Sequence, residues 1–309
     1  MHARLFAAAK CLEKMSSNSE ISSAPNSKTA FVFAGGGSLG AVQVGMLKAL
    51  VEYGVTADMV VGSSVGSING AYFAGRPDIE GVAALQALWR NIRRDDIFPI
   101  GLLPFARFVW RRDFLVSPHK LLHLIEQHLS YRQLEDAIIP VHIVTTDFLS
   151  GATVVHSRGP AAQAILASCA IPAAFEPVRI NARHLVDGGV ASNTPVRIAI
   201  DRGAKRLIVL PTGYSCALSR PPTGAIACAL HGLTLLISGQ LIGELETIDQ
   251  SIEFHVVPSL CPVTATAYDF SQAESLMKRA ETQTRDWLKA GGLQQREIPN
   301  ALRPHDHDP

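Results

Sequence analysis

The chain is poor in cysteine, in aromatic residues and in net charge, and each shortage narrows what it can be. Five cysteines (Cys11, Cys169, Cys216, Cys228 and Cys261) are scattered over 309 residues. Their number is odd and no two form a Cys-x-x-Cys pair, which argues against a disulfide framework and a thiolate zinc site and makes a reducing compartment, the cytoplasm, the expected location. Aromatic residues make up 6% of the chain, and 28 lysines and arginines almost cancel 27 aspartates and glutamates. A formal charge of +1 creates no general field for nucleic acid, so none is expected as a partner and any cationic site has to be local. The acidic residues are not grouped as metal ligands, so neither a divalent ion nor another cofactor is expected.

Long apolar runs are missing too, with one exception. The stretch TGAIACALHGLTLLISGQLIG, Thr223 to Gly243, is uncharged and approaches membrane-span length. His231, Gln240 and its glycines favour a buried helix of an α/β fold over a span. At the amino end, LFAAA is too short for the apolar region of a signal peptide, and the following Ser/Asn-rich piece reads as a disordered leader over residues 1–28, with Met15 as an alternative start. The tail ALRPHDHDP is expected to be disordered as well.

What the chain does have is periodicity. Short β-branched runs (TAFVFA at 29–34, DMVVG at 58–62, VHIVTT at 141–146, TVVH at 153–156, RHLVD at 183–187, RLIVL at 206–210 and EFHVV at 253–257) alternate with helical patterns such as GAVQVGMLKALVEYG and SPHKLLHLIEQHL. That alternation predicts an α/β fold: a three-layer α/β/α arrangement with a mostly parallel central sheet over residues 29–258, followed by a C-terminal helix and tail over 259–309. Functional sites in such sheets lie at the carboxyl ends of the strands.

Two glycine motifs fall at such ends. FAGGGSLG, Phe33 to Gly40, satisfies G-x-G-x-x-G through Gly35, Gly37 and Gly40, so a nucleotide-binding protein using Gly35–Gly40 is one reading. It needs an acid at the end of the second strand, and Asp58 stands before MVVG instead, at the wrong end. The carboxyl end of that strand carries Gly62-Ser63-Ser64-Val65-Gly66, the G-x-S-x-G of a nucleophile elbow, which selects Ser64 over Ser63. A serine attacking an ester creates an oxyanion that needs preorganised donors, and the bare backbone of Gly35, Gly36 and Gly37 on a neighbouring strand would supply them. A base is also required. Asp187 in HLVDGGVASNTPV and Asp147 in VTTDFLSG both end strands, and the residues alone leave the choice open.

Histidine offers weaker candidates. His119 and His123 have the i, i+4 spacing of a zinc pair but no glutamate between them and no third ligand, so they read as an amphipathic surface. His305 and His307 in the tail carry little weight. His231 or His255 could complete the triad of an α/β-hydrolase, but there the oxyanion motif lies much further upstream of the elbow than the 27 residues from Gly37 to Ser64.

GGGSLG, GSSVG, ASCAIP at Ala167–Pro172 and DGG at 187–189, taken in that order, resemble the blocks of the patatin-like phospholipase family over roughly residues 30–212. The resemblance implies a serine acyl hydrolase of phospholipase A, lysophospholipase or esterase type, acting on carboxylic esters of lipids. It also implies a Ser64–Asp187 dyad without a histidine and an oxyanion loop at Gly35, Gly36 and Gly37. One position departs from it: Leu39 stands where many members carry Arg or Lys. A catalytically silent lipid-binding scaffold is the non-enzymatic alternative. The segment DDIFPIGLLPFARFVWRRDFLVSP, 95–118, mixes aromatics with Arg107, Arg111 and Arg112, so residues 98–112 are expected either to touch a bilayer or to form a buried connection.

Overall fold

The computed structural model describes residues 28–97, 116–172, 174–213, 223, 225–263 and 266–303. The leader, the tail from 304 and the segment 98–112 lie outside them.

Strand β1 (Thr29–Phe33) shows why the sheet is buried on both faces. Its side chains alternate across the pleat, and both sets are apolar: Phe31 and Phe33 enter one core, Ala30 and Val32 the other. The first core is closed by helices α1 (Gly40–Glu52), α2 (Val65–Gly75), α3 (Ile79–Asn91), α5 (His119–His128), α6 (Ala161–Ser168) and α9 (Ala273–Lys289), with the short α4 (Arg94–Ile97) at its rim. The second is closed by α7 (Val196–Asp201) and α8 (Ala225–Glu246). These are the three layers expected. Helix α9 shares the first core through Leu276, Met277 and Ala280, although the sequence pattern sets it after the segment expected to form the main domain.

Among the described residues the sheet has eight strands, continuing with β2 (Met59–Ser63), β3 (Val141–Asp147), β4 (Thr153–His156), β5 (Val178–Ile180), β6 (Arg183–Asp187), β7 (Arg206–Leu210) and β8 (Glu253–Val256). Strands β3, β2, β1, β7 and β8 run parallel in that spatial order. The rest is antiparallel: β4 and β6 both pair with β3, and β5 pairs with β6. Strand β5, three residues with Arg179 exposed between two half-buried neighbours, is too short to leave a periodic signal in the sequence.

The register on β3 positions the site. Val144 pairs with both Ser63 of β2 and Val155 of β4, and Thr145 pairs with both Val154 of β4 and Asp187 of β6. A strand has only two edges, so β4 takes one, and β2 and β6 share the other. They run toward each other and meet tip to tip.

The run Thr223–Gly243 departs from expectation. It lies largely within helix α8, but the helix is not buried: Leu241 and Leu245 enter the second core, whereas Leu235 and Leu236 are 53% and 72% exposed. A helix laid on the outside of a layered fold buries only the part that meets the sheet, whatever the rest of its composition. Among the described residues no helix is long and apolar enough to cross a membrane.

Candidate active site

Ser64 sits between β2 and α2 with φ 52° and ψ −128°, a conformation that non-glycine residues rarely adopt. The surroundings hold it there. Its N–H donates to Ser168 Oγ at 2.9 Å, Ser168 in turn donates to the Val144 carbonyl at 2.6 Å, and the Ser64 carbonyl accepts from both the N–H and the hydroxyl of Ser67. Gly66 makes the sharp turn possible, since a Cβ on it would stand 2.4 Å from the Phe33 carbonyl oxygen.

The tip-to-tip meeting of β2 and β6 brings Asp187 to this serine, 123 residues away in the chain. Ser64 Oγ donates to Asp187 Oδ2 at 2.6 Å. Asp187 Oδ1 accepts the Gly189 N–H at 2.7 Å, and its main chain is pinned by Ala170 and Thr146. Both residues are almost closed to water, Ser64 at 8% and Asp187 at 6% exposure. Burial pushes the Asp187 carboxyl up from the usual range to about 6, against the pull of its bonds from Ser64 and Gly189.

That shift carries a stability cost. Between its ordinary value of 3.8 and about 6, the folded chain binds a proton that the unfolded chain has lost, so stability falls as pH rises through this window. Above it, burying the ionised carboxylate costs about 3 kcal/mol. Asp187→Asn should therefore melt several degrees higher than the parent at pH 7–8, with the gain gone near pH 4, as read by calorimetry across that range.

The glycine loop faces the same point. Gly37 has φ +58°, and a Cβ there would meet the Ala267 carbonyl oxygen at 2.3 Å. Of the three expected oxyanion donors, Gly35 differs from the other two, because its N–H is already donated to the Asn193 carbonyl at 3.0 Å. A backbone proton bound to a carbonyl is not free for a second oxygen. Gly35 instead fixes the loop: its own carbonyl accepts from Thr212 Oγ1 at 2.7 Å. Neither Gly36 nor Gly37 donates its N–H to a backbone partner among the described residues.

The competing candidates are occupied elsewhere. Asp147 Oδ1 accepts the N–H groups of Leu149 and Ser150 and so closes the turn after β3. Asp58 accepts the Thr29 N–H at 2.7 Å, tying the amino ends of β1 and β2, which leaves the dinucleotide reading without its acid. His255 is buried on β8 between the Gln295 carbonyl and Glu253. His119 and His123 are exposed on α5, and among the described residues no three His, Cys, Asp or Glu side chains converge as metal ligands. The side chain of His231 lies outside the described residues. Ser168, Asn193 and Thr212 are the supporting residues that sequence reasoning did not single out. Ser168 lies in the ASCAIP block; Asn193 and Thr212 gave no local signal.

From Ser64 a channel runs into the first core, walled by Val65, Leu88, Trp89, Leu124, Ile165 and Phe270. Its lining is almost wholly apolar. The site thus joins a buried serine–carboxylate pair, an apolar channel and two amides that have no backbone acceptor among the described residues.

A family model described as patatin-like phospholipase matches residues 31–200. Patatin-like phospholipase domain-containing protein 6 of Homo sapiens is 31% identical over 188 residues, which is 60% of this chain and 13% of that protein. A lysophospholipase of Cryptococcus neoformans is 28% identical over 190 residues, 59% of this chain and 11% of that protein. The matched region is therefore a small part of these relatives' length. Among solved structures, human GIVD cytosolic phospholipase A2 superposes with a TM-score of 0.51 at 13% identity, covering 96% of this chain and 62% of that one, and shares the fold.

Proposed function

The chain belongs to the patatin-like phospholipase family, and from that premise we propose that it is a serine acyl hydrolase that cleaves carboxylic esters of lipids. The observation that carries the proposal is the 2.6 Å hydrogen bond from Ser64 Oγ to Asp187 Oδ2, made on a strained elbow. In the proposed reaction Ser64 Oγ attacks the acyl carbonyl while Asp187 takes its proton. The Gly36 and Gly37 amides hold the oxyanion, and Asp187 returns the proton to the departing alkoxide. Water then attacks the acyl-serine, giving its proton to Asp187, and as the acyl–Oγ bond breaks Asp187 passes that proton to Ser64 Oγ, which releases the fatty acid and restores the pair. The apolar channel takes the acyl chain.

Asp187 works as a base only when ionised. The rate should therefore drop about tenfold for each pH unit below about 6, the level to which burial lifts its carboxyl. Contact with a lipid surface has support near the site: Phe148 and Leu149, on the turn after β3, are 53% and 83% exposed. Incubating the purified protein with a mixed lipid extract and following each species by mass spectrometry tests the proposal. Ester lipids should disappear as free fatty acids accumulate, and with Ser64→Ala they should persist. An unchanged extract with folded parent protein would contradict it.

A further inference from the structure

Beside the apolar channel opens a second cleft of opposite character, sharing Ile92 and Phe270 with it as a common wall. One side carries Arg90, Arg93 and Arg94, from the end of α3 and the start of α4; the other is the segment 266–271 with Tyr268, Asp269 and Ser271. The dividing ridge is the stacked pair Trp89 and Phe270, ring centroids 6.2 Å apart. Trp89 is buried against the channel while Arg90, the next residue, is exposed on the cleft side.

The cleft adjoins the catalytic loop directly. Ser38, one residue past Gly37, donates its N–H to the Ala267 carbonyl at 2.8 Å and its hydroxyl to the Thr266 carbonyl at 2.9 Å. Tyr268 lies within electrostatic reach of Asp187, whose charge, after burial, helps to push the phenol up. The glycine loop GGGSLG itself carries no cation.

The arginines are available. Among the described residues, Arg93 and Arg94 form no ion pair, and Arg90 has only a 3.4 Å contact with Glu274, both side chains being well exposed. Such a surface pair is weak and readily exchanged. Among the described residues that line the cleft the acid is Asp269, and it is committed: Oδ1 accepts from the N–H and hydroxyl of Ser271, and Oδ2 accepts from Gln272. On α4, Asp96 accepts the Arg93 N–H. Among the described residues Arg93 and Arg94 thus line the cleft opposite an occupied carboxylate, with Arg90 held loosely by Glu274, and guanidinium forks match phosphate oxygens geometrically.

We infer that this cleft binds the phosphate of the lipid ester whose carbonyl Ser64 attacks, with Arg93 and Arg94 as the main contacts and Arg90 joining by exchange from Glu274. The inference rests on the hydrolase proposal above and narrows its substrate to esters carrying a phosphate near the scissile bond. Acyl chain and phosphate then diverge at the Trp89–Phe270 ridge.

The test compares the parent with Arg93→Gln/Arg94→Gln on two soluble esters, dihexanoyl phosphatidic acid below its micelle concentration and uncharged p-nitrophenyl butyrate. The ratio of the two kcat/KM values should fall at least about tenfold in the double variant, mainly through KM for the phospholipid, and Arg93→Lys/Arg94→Lys should recover most of it. Glycerol 3-phosphate should compete with the phospholipid in the parent only. An unchanged ratio overturns the inference. So does a loss confined to binding of anionic vesicles, which would make the arginines a membrane-facing patch. If neither ester is cleaved, the hydrolase proposal fails separately, and calorimetry on Ser64→Ala still decides the cleft. Octyl phosphate should bind at least about tenfold more tightly than octyl glucoside, and the Arg93→Gln/Arg94→Gln change should erase that difference; equal binding of the two overturns the inference.

Discussion

Ser64→Ala and Asp187→Asn are each expected to lower lipid-ester turnover by about 10³-fold or more, with the double variant scarcely slower than either single one. A nucleophile and the base that takes its proton act in one step, so removing the second after the first has little left to remove. The near-closed setting of both residues sharpens the expectation, because so little of the pair is exposed that solvent is a poor substitute for the carboxylate. Asp147→Asn and replacement of His255 are the comparisons. Asp147 is bound into its own turn and His255 to Gln295 and Glu253, so each change should cost far less while the fold survives. A steady-state assay on folded variants, each checked by its melting curve, reads the result. If Asp147→Asn silences the enzyme and Asp187→Asn does not, the proposed base is wrong.

Gly66→Ala is expected to have the largest effect on the fold, about 3 kcal/mol of stability and with it most of the activity. The added Cβ would lie 2.4 Å from the Phe33 oxygen and 2.6 Å from the Ala34 oxygen. Those are main-chain atoms at the end of β1, and they cannot step aside, because Phe33 is paired to Gly62 on one edge and Leu210 on the other. Strand β1 and helix α2 would have to part, which moves the glycine loop away from Ser64. Gly243→Ala on α8 is the matched control: nothing lies within 4 Å of its added methyl, and an exposed helical glycine gains about 0.5–1 kcal/mol on becoming alanine. Denaturant melts of the two variants should therefore move in opposite directions. A Gly66→Ala protein as stable as the parent would mean that the packing at the elbow is looser than described.

The elbow was legible in the sequence because its signals are local: a β-branched run, a glycine on either side of Ser64, and small residues that let α2 approach. The choice between Asp187 and Asp147 was not local. Both end strands and both precede turns, and what separates them is that β6 runs antiparallel along the edge of β3 that β2 has just left. That relation is built from pairings some 40 residues apart, such as Thr146 with Asp187, and no window of sequence contains it. Gly35 teaches the same point at longer range. Its triplet looked uniform, yet Asn193, 158 residues on, takes one of the three amides. The layers followed from alternation because both faces of β1 are apolar, whereas the exposure of Leu235 and Leu236 did not, since composition cannot tell which length of an apolar helix meets the sheet.

Covalent capture is the sharpest test of whether Ser64 is a nucleophile activated by Asp187. The parent protein is treated with an alkyl fluorophosphonate and the adduct is located by peptide mass spectrometry. One adduct per chain is expected, on Ser64, formed far more slowly in Asp187→Asn and lost in Ser64→Ala. An adduct on another residue, or a folded parent protein that takes up no label, would contradict it.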